Sequence, residues 1–531
     1  MRPLAPCFLI PLFLSGCYAH YPSVAPRSTP GSMRHHSNIA KSPIEPPRGK
    51  NWRRGTPDPS FASRERYQYR ESNAFRSVSL DPLSTFSVDV DTASYANVRR
   101  MIRKNLSIPS GAIRVEEMIN YFDYNYPAPR GEIPFSMMEE VATCPWNPRN
   151  KLVRIALQGK EMPTETRAPA NLVFLVDVSG SMKSENKLPL LKRSLQMLTN
   201  QLRRDDRVAI VVYAGSSGVA LPSTPCSDTA GIHDALDRLE AGGSTAGGAG
   251  LNLAYRIARE NFQKSGANRV ILATDGDFNV GPASDSALVS LIEKKAKSGV
   301  HLSVLGFGMG NYNDSVLEKL SNKGNGNYAY IDTLNEARKV LVRETQGSLV
   351  TIAKDVKIQV EFNPKKVKSY RLVGYENRIL ENEDFSNDKK DAGEIGAGHQ
   401  VTAFYEIVPA NRFGSDKETT LFRYRKPEAD LTEVAESNEL LHVRLRYKSP
   451  NGTKSRRVTF PVADSKKDFS RATTDFRFAA SVAAFGMKLR ASGNTKGVSR
   501  ARIQQWASQS TGPDRWGYRK EFLELVKEAD F

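Results

Sequence analysis

Leu172-Val173-Phe174-Leu175-Val176-Asp177-Val178-Ser179-Gly180-Ser181 is the stretch on which the fold of this chain turns. An unbroken apolar run ends in an aspartate and then in a short polar turn containing glycine. A strand buried on both faces reads as continuous apolar sequence rather than as alternation, which marks a central parallel strand. Outward from it, Leu191, Leu195, Leu198 and Leu202 line one face of a helix, and 208–213 reads as the next strand. Ile232, Leu236 and Leu239 line another helix, and strands are expected at 269–274, 301–306 and 328–331. Strand and helix alternate through 168–345, which predicts a doubly wound parallel sheet of Rossmann-like architecture.

The flanks read differently. Strand-like segments stand before this region, at 135–141 and 152–157. After it, Val356, Ile358, Val360 and Phe362 alternate, as do Leu441, Val443, Leu445 and Tyr447, and then Val458, Phe460 and Val462. Asn451-Gly452 between the last two runs is a hairpin signal. Strands on both sides of the α/β region are expected to pair into one β-sandwich (131–167 with 346–465), with the α/β domain inserted between them. A small α-rich unit is expected at 79–130, where Tyr95, Val98 and Ile102, then Val115, Met118, Ile119 and Phe122, fall at helical spacing. A helical segment is expected at 466–531, where Phe478, Val482, Phe485 and Leu489 share a face.

Three pieces of the α/β region carry chemistry. One strand ends in Asp177-Val178-Ser179-Gly180-Ser181, a loop carries Gly242-Gly243-Ser244-Thr245-Ala246-Gly247-Gly248, and a later strand ends in Thr274-Asp275-Gly276-Asp277. In an open parallel sheet, ligands bind beyond the carboxyl ends of the strands. Two carboxylates and three hydroxyls form a hard-oxygen donor set, suited to Mg²⁺ with open or water-filled positions. Neutral hydroxyl donors leave the cation's charge unquenched, so an anionic oxygen from a partner is attracted to an open position.

These three pieces, in order on this frame, resemble the metal-ion-dependent adhesion site of von Willebrand factor type A (VWA) domains. The resemblance implies that Asp177, Ser179, Ser181, Thr245 and Asp275 hold Mg²⁺, with Mn²⁺ or Ca²⁺ as substitutes, and that the partner is a protein with an exposed Asp or Glu carboxylate. The wider layout, including Thr85-Phe86-Ser87, Asp89, Asp91-Thr92 and Ser94-Tyr95, resembles the bacterial YfbK-type lipoproteins. Two bland readings stand beside this one: Asp177 and the serines cap the turn, or the ion only stabilises the domain and the protein is a structural or assembly scaffold.

The amino terminus reads as an address. Met1-Arg2 precedes an apolar run, 4–14, too short to span a membrane as a helix, which ends in Leu14-Ser15-Gly16-Cys17. This resembles a bacterial lipobox, which implies a signal peptide at 1–16 and lipidation of Cys17. Tyr18 in the next position favours the outer membrane by the same resemblance. Between Tyr18 and Val78 stand eleven Lys/Arg and four Asp/Glu, so this stretch holds more than a third of the chain's net charge of +18. Eleven of the 30 prolines lie in the first 60 residues. A basic Pro-rich stretch reads as an extended linker, 17–78, rather than as a nucleic-acid surface, and no nucleic-acid partner is expected.

Composition excludes other classes. With 25% charged and 39% hydrophobic residues, the chain is neither a polytopic membrane protein nor wholly disordered. Four cysteines exclude a disulfide-rich scaffold; a Cys144–Cys226 disulfide stays open. Asp89-Val90-Asp91-Thr92 departs from a phosphatase Asp-x-Asp-x-Thr, and Asp91 is read as a helix cap. Ser179 and Ser181 lack a nucleophile elbow, and His233 and His301 lack a partner in the sequence. Asp205-Asp206 reads as a solvated turn, and Asp277 as loop or a water-mediated contact to the ion. No catalytic residue is assigned, and the chain is expected not to be an enzyme.

Overall fold

The computed structural model describes residues 64–243, 247–276, 285–410 and 431–531. The expected signal peptide and Cys17, most of the linker, Thr245 and Asp277 lie outside the described residues. The chain opens with β1 (Arg76–Ser77), β2 (Leu83–Ser87), α1 (Ala93–Arg103), α2 (Val115–Asn120), β3 (Phe135–Thr143) and β4 (Lys151–Gly159). The central alternation runs β5 (Asn171–Asp177), α3 (Leu188–Thr199), β6 (Arg207–Tyr213), β7 (Ser217–Pro225), α4 (Thr229–Asp237), α5 (Gly247–Glu260), β8 (Asn268–Thr274), α6 (Asp285–Ala296), β9 (His301–Phe307), α7 (Asp314–Lys323), β10 (Tyr328–Ile331), α8 (Leu334–Arg338) and α9 (Thr345–Leu349). There follow β11 (Thr351–Phe362), β12 (Val367–Val373), β13 (Ile379–Leu380), β14 (Gly393–Gly396), β15 (Gln400–Pro409), β16 (Glu439–Lys448) and β17 (Ser455–Ala463). Helices α10 (Thr474–Leu489), α11 (Arg500–Ser508) and α12 (Tyr518–Glu528) close the chain.

All seven residues of β5 are buried, as the apolar run requires. β5 lies mid-sheet in the order β10-β9-β8-β5-β6-β7. It pairs in parallel with both β6 and β8, so the crevice where strand order reverses opens at its carboxyl end. One strand of this sheet was not expected. β7 pairs antiparallel to β6 at the sheet edge, is only half-buried, and carries Pro222 and Pro225. Proline is confined to such edge positions, and it also weakens the strand signal in the sequence.

The sandwich forms across the insertion. β4 precedes the α/β domain and β15 follows it, and they pair antiparallel from Lys151↔Ile407 to Gln400↔Gln158. The two sheets have orders β1-β12-β15-β4-β3 and β13-β2-β11-β16-β17, with β14 added on β11. Val356, Ile358, Val360 and Phe362 bury together between them with Val153, Ile155, Leu157 and Tyr405. The β16–β17 hairpin is present, but Lys448 pairs with Ser455, so Asn451-Gly452 sits inside a longer connection rather than forming a two-residue turn.

Segment 79–130 makes no core of its own. β2 pairs with β11 and β13 in the sandwich. Ala93 and Ala96 of α1 pack into one core of the α/β domain beside Tyr328 and Tyr330. Tyr95, Val98 and Ile102 on the opposite face, with Val115, Met118 and Ile119 of α2, join the core of α10–α12. The helical periodicity was legible; that its two faces serve two different cores was not. Cys144 and Cys226 are both free and buried. They belong to separate cores, the first to the helical one and the second to the α/β domain, so the disulfide is not formed. Among the described residues no helix is long and apolar enough to cross a membrane.

Candidate functional site

β5 delivers Asp177 to the crevice, and β8, its parallel neighbour, delivers Thr274 and then Asp275. Both aspartates are fully buried. Asp177 Oδ1 accepts the Ser179 N–H at 2.9 Å. Its Oδ2 accepts from Tyr213 Oη and Thr274 Oγ1, each at 3.2 Å. These donors lock the carboxylate's orientation. Burial pushes the Asp177 carboxyl above its ordinary range, hydrogen bonds from Ser179 oppose the shift, and the neighbouring charge of Asp275 adds to it.

Ser179 and Ser181 stand together, Oγ to Oγ 3.0 Å, across the turn after β5. The glycine-rich loop is stitched to that turn by its backbone: Gly242 N–H donates to the Val178 carbonyl at 2.7 Å, and Gly180 N–H donates to the Gly243 carbonyl at 3.0 Å. Gly243 has φ +81°, a conformation that suits glycine. Carboxylates therefore form the floor, while Gly180, Ser181, Gly242 and Gly243 form an exposed rim. Of the five residues expected at the site, four converge at one crevice; Thr245 lies outside the described residues.

Two further residues reach the floor. Lys187, just before α3, places Nζ 2.8 Å from Asp275 Oδ2. Asn311 Nδ2 approaches the same oxygen at 3.4 Å. Neither falls in the Asp-x-Ser-x-Ser pattern, and no local spacing connects either to Asp275; their approach comes from sheet order alone.

The comparisons with known proteins bear on this arrangement. The family described as "von Willebrand factor type A domain" matches residues 171–344, "von Willebrand factor" matches 61–154, and "Uncharacterized protein YfbK, C-terminal" matches 347–531. The "Uncharacterized protein YfbK" of Escherichia coli (strain K12) is 46% identical over 88% of this chain and 81% of its own length. The chain belongs to the YfbK family. Its VWA domain is the inserted α/β unit. The "Uncharacterized protein sll0103" of Synechocystis is similar at 29% identity over 35% of this chain and 43% of its own length. Among solved structures, "von Willebrand factor type A from Catenulispora acidiphila" aligns with 76% of this chain and 91% of that chain, at 16% identity and a TM-score of 0.42.

A second group of carboxylates lies where the VWA domain meets the sandwich. Asp89, Asp91 and Glu117 are buried, each with an oxygen within 4.8 Å of the others. Asp91 does not cap α1, as the sequence suggested. Its Oδ1 accepts the Tyr328 N–H of β10 at 2.8 Å, and Thr92, the residue before the helix, makes no side-chain cap. Asp89 accepts from Asp91 N–H and from Arg378 Nε, each at 3.0 Å; Arg378 also reaches Asp91 at 3.3 Å. Glu117 accepts the Ser94 N–H at 2.8 Å and pairs with Arg114, which also holds Asp314 of α7 at 2.6 Å. Two guanidiniums from different parts of the chain thus clamp the opening segment onto both neighbours. Asp206, read as solvated, is instead fully buried. It accepts from Arg167, Ala170 N–H and Arg203 N–H, while Asp205 stays exposed. His233 bonds to Thr199 Oγ1 at 2.9 Å, away from the crevice, in a packing role between α3 and α4.

The buried glutamates make stability depend on pH. Burial pushes Glu117 up to about 8, against Arg114 and with help from Asp89; Glu116 and Glu394 are pushed up to about 7, again by burial. The folded chain therefore holds protons that an unfolded glutamate loses near pH ~4.3, so the contribution of these groups to stability falls from there and levels off at pH 7 to 8. Burial depresses His399 to about 4 and His301 to about 3; their opposite effect is complete by pH ~6.5. The melting temperature is expected to fall between pH ~6.5 and about 8 and then level off, and Glu117→Gln to flatten that slope. A rising melting curve in scanning calorimetry over this window would contradict the assignment.

Proposed function

We propose that the protein is an envelope-anchored binding module, tethered to the outer membrane through lipidated Cys17, that captures a protein partner by bridging one of its carboxylates through a divalent ion. The observation that carries this reading is the convergence of Asp177, Ser179, Ser181 and Asp275 on the crevice beside β5, with the carboxylates beneath and a hydroxyl at the rim. The set fits a hard cation: it consists of oxygens, two of them from buried carboxylates beneath the paired hydroxyls. Asp177, Ser179, Ser181 and Asp275 would hold Mg²⁺, with Thr245 the expected fifth donor. The ion would supply a Lewis-acidic position open to a partner's carboxylate. Asp177 is oriented before binding by Tyr213, Thr274 and Ser179, which limits the ordering needed when an ion arrives.

One metal-bridged contact supplies only part of an affinity, and the exposed surface around the crevice must add apolar and polar contacts. The test is affinity capture from envelope extract with the soluble chain. Wild type and Asp177→Ala/Ser179→Ala, both checked for folding, are compared in Mg²⁺ and in EDTA. A partner caught only by wild type in Mg²⁺ is expected. The same catch in all four samples would overturn the proposal and favour the scaffold reading, in which an ion serves only to stabilise the VWA domain.

A further inference from the structure

Lys187 is unusual among the residues of the crevice. Its side chain is only 9% exposed, and its ammonium meets a carboxylate that is wholly buried. The aliphatic stem runs against the backbone of Gly308, which follows β9 with φ +75°. A Cβ at Gly308 would stand 2.3 Å from Lys187 Cε and 2.7 Å from Cγ, so a side chain there would occupy the lysine's channel. The ammonium is thus led to Asp275 through a passage that only glycine leaves open, and it is held there as a tethered charge. A residue serving only to start α3 would need no such passage.

We infer that Lys187 couples the two occupants of this site, weakening the hold on a divalent ion alone and strengthening the hold on the ion together with a carboxylate. The inference rests on the metal-binding reading proposed above and deepens it. Asp177 and Asp275 bring two negative charges to the floor, and a divalent ion by itself balances them. Lys187 adds one more positive charge, so the ion-loaded floor carries an excess that a single carboxylate neutralises. Without the lysine, the same carboxylate would make the ensemble net negative. Charges this deeply buried are poorly screened, so the balance weighs heavily. Coupling of this kind is reciprocal: the carboxylate tightens the ion as much as the ion tightens the carboxylate. The unliganded protein would hold its ion loosely and retain it once a partner has docked.

The test uses the soluble full chain, with Mn²⁺ as the probe and acetate as the carboxylate. Free Mn²⁺ is followed by electron paramagnetic resonance for wild type, Lys187→Met and Lys187→Gln, with thermal unfolding run on each; the glutamine variant keeps a hydrogen-bonding end should the methionine variant fail to fold. In chloride buffer the variants are expected to bind Mn²⁺ on the order of tenfold more tightly than wild type. Excess acetate is expected to tighten Mn²⁺ binding to wild type more than to the variants, in which the direct ion–carboxylate contact alone couples the two ligands. Equal Mn²⁺ affinity in wild type and in a folded variant, or equal acetate effects, would overturn the inference while leaving the metal reading intact. No uptake by any of the three would sink the metal reading, and this inference with it.

Discussion

Replacing Arg99 by alanine is expected to cost about 3–5 kcal/mol of stability, the range for removing one partner from a buried ionic cluster. The guanidinium is 1% exposed and serves several parts of the chain at once. Its Nε donates to Asp332 at 3.0 Å, a terminal nitrogen donates to Glu336 at 2.8 Å, and the other donates to Glu521 at 3.0 Å and to the Tyr121 hydroxyl at 2.8 Å. Asp332 and Glu336 belong to the VWA domain, Tyr121 follows α2, and Glu521 lies on α12. Alanine would remove the guanidinium that Asp332 and Glu336 share, while Glu521 would keep Arg103, 2.9 Å away. Arg99→Lys keeps the charge but loses the planar fork, so an intermediate loss is expected. Urea unfolding of the three proteins checks the order. A loss below about 1 kcal/mol for the alanine variant, the scale of a solvent-exposed pair, would show that the cluster does not join these elements.

Phe86→Ala is expected to have a similar effect for a different reason. Phe86 is fully buried in the sandwich core and meets Tyr375 and Tyr405 edge-on, with centroids 5.1 and 6.2 Å away. Truncating a buried phenylalanine costs about 3–5 kcal/mol through lost burial and the cavity left behind. The residue lies on β2, within the segment that sequence periodicity assigned to a separate α-rich unit. If that unit were independent, the substitution would spare the sandwich. The strand pairings of β2 with β11 and β13 predict that it will not. A near-ultraviolet circular dichroism signal from the sandwich tyrosines that melts unchanged in the variant would contradict the pairing.

What could be read from sequence follows from the range of the interactions involved. The α/β frame was legible because β5 is buried on both faces and therefore apolar throughout, a local property. The sandwich strands were legible because the face toward the sandwich core is apolar and the other polar, which leaves a period of two in Val356–Phe362 and Leu441–Tyr447, even though Lys357 and Gln359 on the other face are buried as well. The convergence of Asp177, Ser179, Ser181 and Asp275 followed once the strands were in parallel order, because carboxyl ends then share an edge. Ion pairs were not legible. Asp206 looks like any turn aspartate until Arg167, 39 positions earlier, folds back on it. Asp91 and Thr92 carry a helix-start pattern, and only the arrival of β10 shows that Asp91 is spent on Tyr328. Lys187 meets Asp275 across 88 positions, a distance over which composition and periodicity carry no information.

The insertion has a mechanical consequence. The VWA domain leaves the sandwich after β4 and rejoins it at β11, strands that lie in opposite sheets. A pull on anything held at the crevice therefore reaches the sandwich along two covalent routes rather than one, while Arg99 and Arg114 tie the VWA domain to the α1–α2 segment and Arg378 ties that segment to the sandwich. Force divided between two strands, each hydrogen-bonded to neighbours on both sides, is shared by the two sheets. If the crevice captures a partner as proposed, pulling on that partner is expected to rupture the contact before the sandwich yields.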